Sequence, residues 1–149
     1  KASKKVFDIA KEIKDLVKTN KVYNRVVKLN LPKESIFVDS DKILCIQIVN
    51  NLLSNAVKYS HNTPEIKLKL KANGYQCKIT VKDKGIGIDK VNISNLTEAF
   101  KREDSISSLV QGTGLGLSIV KHNLDLLDGS MEIESELGKG TKVTVIIPR

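Results

Sequence analysis

The stretch VKDKGIGI, residues 81–88, decides how the rest of the chain is read. An alternating run, YQCKITVKD over 75–83, leads into it and stops at a lone aspartate followed by two glycines. Asp-x-Gly-x-Gly after a strand is a turn signal, because glycine tolerates backbone angles closed to other residues and lets another backbone come close. A second glycine cluster, GTGLGLSIV over 112–120, opens onto an apolar run of helical character. Neither cluster is a P-loop, since no G-x-x-x-x-G-K-[ST] occurs. The second is not a dinucleotide fingerprint either, because a polar loop precedes it rather than a strand and its last glycine is misplaced.

Working outward, EIKLKLK (65–71) and YQCKITVKD (75–83) both alternate strictly, and Asn73-Gly74 between them predicts a hairpin. Ile66, Leu68 and Leu70 on one strand and Cys77, Ile79 and Val81 on the other make a single apolar face, so this sheet is covered on one side only. A helix is expected from Asp41, a good N-cap, to Ser60, and another over Leu115–Leu127 ended by Gly129. SMEIES and TKVTVIIP, joined by ELGKG, read as two closing strands. Upstream, KKVFDIAKEIKDLVK (4–18) sets Val6, Ile9, Ile13 and Leu16–Val17 at helical spacing. RVVKLNL (25–31) and SIFVDS (35–40) read as strands joined by a turn at Pro32. Residues 89–111 are weakly periodic, and KREDSISSLVQGTG is expected to be a mobile loop. There is no internal repeat. Strands of mixed direction with helices on one face predict an α+β fold, a two-layer α/β sandwich.

The 149 residues suit one domain with a real core, and 40% hydrophobic with 28% charged residues is ordinary for a globular protein. No run of about 18 apolar residues exists. No signal peptide opens the chain, and its abrupt start at Lys1 suggests a fragment of something longer. The net charge of +8 divides unevenly: residues 1–33 hold ten Lys/Arg against three Asp/Glu (+7), and the remainder fifteen against fourteen (+1). A nucleic-acid site needs such charge gathered on one face, usually with aromatics, and aromatics are 4% here. The basic segment is therefore expected to be solvated and partner-facing; no nucleic-acid partner and no membrane contact by this domain are expected. Cys45 and Cys77 lack CxxC spacing and read as buried free thiols.

Helix 41–60 has an apolar face of Cys45, Ile48, Val49, Leu52, Leu53, Ala56 and Val57. Its other face carries Gln47, Asn51, Asn55 and Lys58, spaced four, four and three, which stacks carboxamides and an ammonium on one side. Asparagine is a poor mid-helix residue because its side chain competes for backbone hydrogen bonds. A merely solvated face would favour Glu, Lys and Gln. The chemistry such a face offers is a side-chain oxygen for Mg²⁺ with a lysine near phosphate.

The order of these features resembles the catalytic ATP-binding domain of sensor histidine kinases, whose nucleotide fold (the Bergerat fold) is shared with gyrase, Hsp90 chaperones and MutL proteins. NLLSNAVKYS (51–60) is similar to that family's N box, DKGIGI (83–88) to its G1 box, EAFKRED (98–104) to its F box and GTGLGLSIV to its G2 box. The likeness covers essentially the whole chain, residues 1–149, as one catalytic domain without the dimerisation domain that carries the phosphoacceptor.

The resemblance implies Mg²⁺ and ATP as cofactors and assigns roles. Asp83 would accept from the adenine amine, with Gly85 and Gly87 closing the backbone around the base and Ile88 packed on the ring. An ionised carboxylate only accepts hydrogen bonds, which suits that amine and repels the guanine oxygen. Thr141 would join the same network. Asn55 would give its oxygen to Mg²⁺, with Asn51 supporting metal and phosphates, Lys58 on phosphate and Tyr59 on the flank of the nucleotide. Phe100 and Arg102 belong to the F box, with Arg102 meeting the γ-phosphate. Gly112, Thr113, Gly114, Leu115, Gly116 and Leu117 would form the phosphate-binding helix start, where free N–H groups and the helix dipole attract anions. Thr97, Ala99 and Lys101 depart from the residues the family often carries there.

Gyrase-like relatives hydrolyse ATP with a glutamate where this chain has Asn51, which cannot act as a base. This argues for phosphoryl transfer to a histidine held on a separate dimerisation domain of the parent chain, with a response regulator downstream. His61 and His122 do not match an acceptor motif. A serine-kinase anti-sigma factor, an ATPase and a non-catalytic binding module are the alternatives. The resemblance implies a cytoplasmic domain, whether or not the parent protein is anchored in the inner membrane.

Overall fold

The computed structural model describes residues 1–60, 65–94 and 117–149. Strands β1 (Lys5–Asp8) and β3 (Phe37–Ser40) pair antiparallel as a small separate sheet. Between them run helices α1 (Ile9–Thr19) and α2 (Lys21–Val26) and strand β2 (Val27–Asn30). Helix α3 (Lys42–Lys58), strands β4 (Ile66–Ala72) and β5 (Gln76–Lys82), helix α4 (Leu117–Leu127) and strands β6 (Ser130–Glu136) and β7 (Gly140–Pro148) follow. The main sheet has the order β2-β4-β5-β7-β6, with β2 parallel to β4 and the remaining neighbours antiparallel. Its mixed strands, with the helices on one side, are the predicted α+β sandwich.

The N-terminal segment departs from the expected 4–18 helix. Asp8 caps α1 by accepting from the N–H groups of Ala10 (3.1 Å) and Lys11 (3.3 Å), so the helix begins at Ile9. Ile9, Ile13 and Val17 supply its buried stripe. Val6 fits that helical spacing, yet it lies on β1 opposite Asp39 and is 69% exposed. Helix α2 was not expected. Its six residues are too few to show a period, and its one sequence signal is Asn20, whose carboxamide oxygen accepts from Val22 and Tyr23 at 3.0 Å. Nor do the strands flanking Pro32 pair with each other. Each finds a distant partner, β2 in β4 and β3 in β1.

Helix α3 matches its expected start. Asp41 accepts from Leu44 N (3.1 Å) through one oxygen and from Ser3 N (2.8 Å) through the other, tying the N-terminus of the chain to the helix start. Cys45, Ile48, Val49, Leu52, Leu53 and Ala56 are buried and face the sheet residues Ile66, Leu68, Ile79, Val145 and Ile147 in one core. The 73–76 turn forms as the hairpin signal predicts, with the Asn73 oxygen accepting from Tyr75 N (2.8 Å) and Gln76 N (2.9 Å). Helix α4 packs beside α3, and Asn123, 2% exposed, donates to Gln47 Oε1 (2.9 Å) and Leu44 O (3.3 Å) across the pair.

Candidate functional site

Between α3, the helix-facing side of β5, β7 and β6, and the loop after β5 lies a cleft of about 390 Å³. Its position follows from three backbone bonds. Asp83 N donates to Thr141 O (2.9 Å), carrying the β5–β7 ladder one residue further. Ile86 N donates to Tyr59 O (3.0 Å) at the end of α3, and Gly138 N donates to Ile86 O (2.7 Å). The 83–88 loop is thereby held between the C-terminus of α3 and the β6–β7 turn.

Close approach explains the glycines of this loop. A Cβ on Gly85 would stand 2.1 Å from Tyr59 O. Gly87 has φ +73°, and its Cβ would stand 2.1 Å from Glu136 O. Both contacts are far inside van der Waals distance and involve backbone, so neither position accepts a side chain without moving an element.

Asp83 is 9% exposed and lines the cleft. Burial pushes its carboxyl above the usual range, and the N–H groups of Gly85 (2.8 Å) and Thr141 (3.3 Å) partly offset that. Both donors meet Oδ1. Among the described residues no protein donor reaches Oδ2, so that oxygen is open to solvent or a ligand at the cleft wall.

Beside it, Ser135 Oγ donates to Gly140 O (2.8 Å) and accepts from Ile88 N (2.8 Å). With the Ser135 proton committed, the 2.7 Å contact between Ser135 Oγ and Thr141 Oγ1 must use the Thr141 proton. Thr141 therefore presents only acceptor capacity to the cleft.

The structure brings Asn55, Tyr59, Asp83, Gly87, Ile88, Leu117 and Thr141 to this one cavity. Gly85 lies beneath it against Tyr59. Asn51 does not line it. Its amide donates to Gln47 O (2.8 Å), and it faces a separate groove with Ser118 and His122 of α4. Lys58 also stands outside the lining, with its Nζ 5.5 Å from the centre of the Tyr59 ring. Phe100, Arg102, Gly112, Thr113, Gly114, Leu115 and Gly116 lie outside the described residues, as do the whole of the expected mobile loop and His61.

Sequence reasoning missed Ser135, Ile86, Ile133, Leu137, Asp89 and Asn92. Ser135 sits opposite Thr141 in the β6–β7 register, a pairing no local signal announces. Asp89 had one, since it accepts from Asn92 N (2.8 Å) as the cap of a helical turn at 90–94.

Among the described residues no group of three or more His, Cys, Asp or Glu could cage a metal. Of the α3 residues expected at metal and phosphate, Asn55 alone lines the cleft, and its carboxamide oxygen is of the hard type that Mg²⁺ accepts alongside waters and substrate phosphates.

Residues 40–149 match the family described as histidine kinase-, DNA gyrase B- and HSP90-like ATPases. The chain is 38% identical over 120 residues to the histidine protein kinase DivJ of Caulobacter vibrioides, an alignment covering 79% of this chain and 20% of DivJ. It is 36% identical over 143 residues to the sensor histidine kinase YkoH of Bacillus subtilis, covering 95% of this chain and 31% of YkoH. The catalytic domain of the histidine kinase ThkA superposes with a TM-score of 0.77 at 20% identity, covering 98% of this chain and 97% of that one. The mycobacterial sensor histidine kinase MprB gives 0.72 at 22%, over 98% and 97%. At those identities the two structures show a common fold.

A cleft of about 390 Å³ with mostly apolar walls and a few convergent polar groups, Asp83 and Thr141 among them, has the form of a small-molecule site. The chain belongs to the family of histidine kinase-, DNA gyrase B- and HSP90-like ATPases, and the curated relatives it matches are histidine kinases. It spans less than a third of the length of the two curated relatives. Among the described residues no helix is long and apolar enough to cross a membrane.

Proposed function

We propose that this domain binds Mg–ATP in the cleft and donates the γ-phosphoryl group to a histidine on a separate dimerisation domain of its parent chain, from which a response regulator takes it. The observation that carries the reading is Asp83, whose Oδ1 is saturated by two backbone donors while Oδ2 is left for a ligand donor. The adenine amine is such a donor. Thr141, with acceptor capacity only, extends the same preference through water, and Ile88 packs on the base.

Asn55, in the last turn of α3, would hold Mg²⁺ together with the phosphates, and the ion would supply neutralisation of their charge. Asn51, Lys58 and Arg102 would act on the triphosphate. Asn51 and Lys58 are one turn of α3 from the cleft wall, within reach of phosphates that extend beyond it. Phe100 and the 112–117 segment would close over the nucleotide. Position 51 offers a carboxamide, which cannot serve as a general base for water, and this favours transfer over hydrolysis. The domain would work in the cytoplasm, where ATP and the regulator are.

The test is incubation with γ-labelled ATP, alone and with the helical domain of the parent kinase added as a separate chain. Alone, the domain is expected to bind Mg–ATP, to turn over very slowly and to remain unlabelled. With its partner, acid-labile label is expected on that domain's histidine. Acid-stable label on another protein would move the reading to a serine kinase, and rapid hydrolysis alone to an ATPase. Asn55→Ala should abolish the Mg²⁺-dependent transfer, and full transfer by that variant removes its metal role.

A further inference from the structure

The uncovered face of the five-stranded sheet gathers lysines that chain order keeps apart. Lys28 on β2, Lys67, Lys69 and Lys71 on β4, and Lys78 and Lys82 on β5 all point away from the helices and are exposed. The register sets like charges side by side: Lys28 beside Lys67, Lys67 across from Lys82, and Lys71 across from Lys78. Lys82 in turn faces Lys142 of β7. Like charges directly opposite one another destabilise a sheet. A face kept only for solubility intersperses both signs, yet no Asp or Glu takes an outward position on β2, β4 or β5. Crowding is felt at Lys69, where Lys71 first, then Lys142 and Lys78, hold the ammonium below the usual lysine range. Among the described residues, carboxylates stand only at its margins: Glu65, just before β4, lies 3.4 Å from Lys84 and is held below its usual range by Lys84 first, with Lys28 and Lys67 adding to it, and Glu134 on β6 stands 3.8 Å from Lys142.

We propose that this face docks the domain on an anionic lipid surface. The array is two-dimensional. Four neighbouring strands at about 4.8 Å spacing, and positions 67–71 along β4 at about 3.3 Å per residue, give roughly 14 Å by 13 Å of close-set ammonium groups. That layout matches a plane of headgroup phosphates better than the phosphate ridges of a duplex. Single-stranded nucleic acid needs stacking rings, and no aromatic residue occupies an outward position on these strands. Protein interfaces draw their energy from aromatic residues and arginine and are depleted in lysine, and this face has neither an aromatic nor an arginine. Lysine, a point charge on a flexible stem, suits a fluid partner that rearranges to meet it. The cleft lies on the other side, among Val81, Ile133 and Val143, so a domain resting on its lysine face keeps the cleft open.

Co-sedimentation with vesicles tests the proposal. The chain should pellet with phosphatidylcholine vesicles containing phosphatidylglycerol and stay in solution with phosphatidylcholine alone. Salt at about 1 M, where the screening length is about 3 Å, should release it. Each lysine near such a surface is worth about a fivefold change in partition, the equivalent of about 1 kcal/mol. Lys67→Gln/Lys69→Gln/Lys71→Gln should then bind about a hundredfold more weakly. Lys11→Gln/Lys14→Gln/Lys18→Gln on α1 has the same net charge and should keep most of the binding. The sheet triple should melt no lower than the parent, since it relieves repulsion. If it fails to fold, Lys69→Glu against Lys14→Glu makes the same comparison. Equal loss in the two triples, or in the two single variants, overturns the proposal. So does indifference to phosphatidylglycerol, or tighter binding to duplex DNA or polyglutamate than to anionic vesicles at one salt concentration.

Discussion

At position 83 a carboxylate is held almost out of water with both of its backbone donors on one oxygen. Its carboxyl is raised by burial, so the ionised form is penalised in the folded protein. The linked contribution to stability is present below the unfolded value of 3.8 and is lost as pH rises through the folded one. At neutral pH, without nucleotide, Asp83→Asn should therefore be more stable than the parent, since its amide oxygen can still accept from Gly85 and Thr141. Urea midpoints should show this gain at pH 7 and its disappearance in acid. The same variant should lose about 10- to 100-fold in ADP affinity, the scale of one charged hydrogen bond, and with it the preference for ADP over GDP in thermal shift. A variant less stable than the parent at pH 7, or one that still discriminates the two bases, would refute the assignment. Gly85→Ala tests the backbone contact. Its Cβ meets Tyr59 O at 2.1 Å, so a loss of about 1–3 kcal/mol, as for overpacking, is expected in the same titration.

Among the elements, α3 connects the core to the cleft, and its start is fastened twice by Asp41. The N–H of Ser3 first, with that of Leu44 supporting it, holds this carboxyl below its usual range. A depressed carboxyl stabilises the fold above the unfolded value of 3.8, and that contribution is lost as pH falls through the folded one. Asp41→Ala should cost about 1–2 kcal/mol at pH 7 from loss of the cap, with a smaller difference from the parent in strong acid. Equal denaturation curves at pH 7 would show that the cap contributes nothing. The α3–α4 pair depends on Asn123 in a similar way. Its amide reaches both Gln47 and Leu44 from a buried position, and an unmade buried hydrogen bond costs about 1–3 kcal/mol. Asn123→Ala should lose about that much stability, and it should loosen the groove where Asn51 lies.

Over the whole molecule, the +8 charge is not spread evenly in space any more than along the chain. Opposed lysines on one sheet face and a lysine-rich N-terminal region both resist compaction. Added salt should therefore raise the melting temperature of the chain, with most of the gain reached once the screening length falls below the spacing of neighbouring strands. A melting temperature that drops with salt would contradict the repulsion inferred from the strand register.

Local chemistry was legible in the sequence wherever a residue acts on its near neighbours. Asp41 capping α3, Asn73 setting the hairpin, the alternation of β4 and β5 and the turn after Asp83 all follow from contacts within a few positions, and the order of the four quoted motifs carried the family. What the sequence could not contain was which distant segments would meet. The β1–β3 pair took residues with helical spacing into a strand, because a ladder with Phe37–Ser40 was available and Asp8 capped the helix after it. Ser135 became a partner of Thr141 only through the β6–β7 register. A count along the chain located the basicity in residues 1–33 and led to an expectation of a solvated, partner-facing segment there. The sheet also collects lysines from β2, β4 and β5 on one face, all but Lys28 well away in sequence from that segment. Charge adds along a sequence, but a partner meets a surface, and only the pairing of strands decides which charges share one.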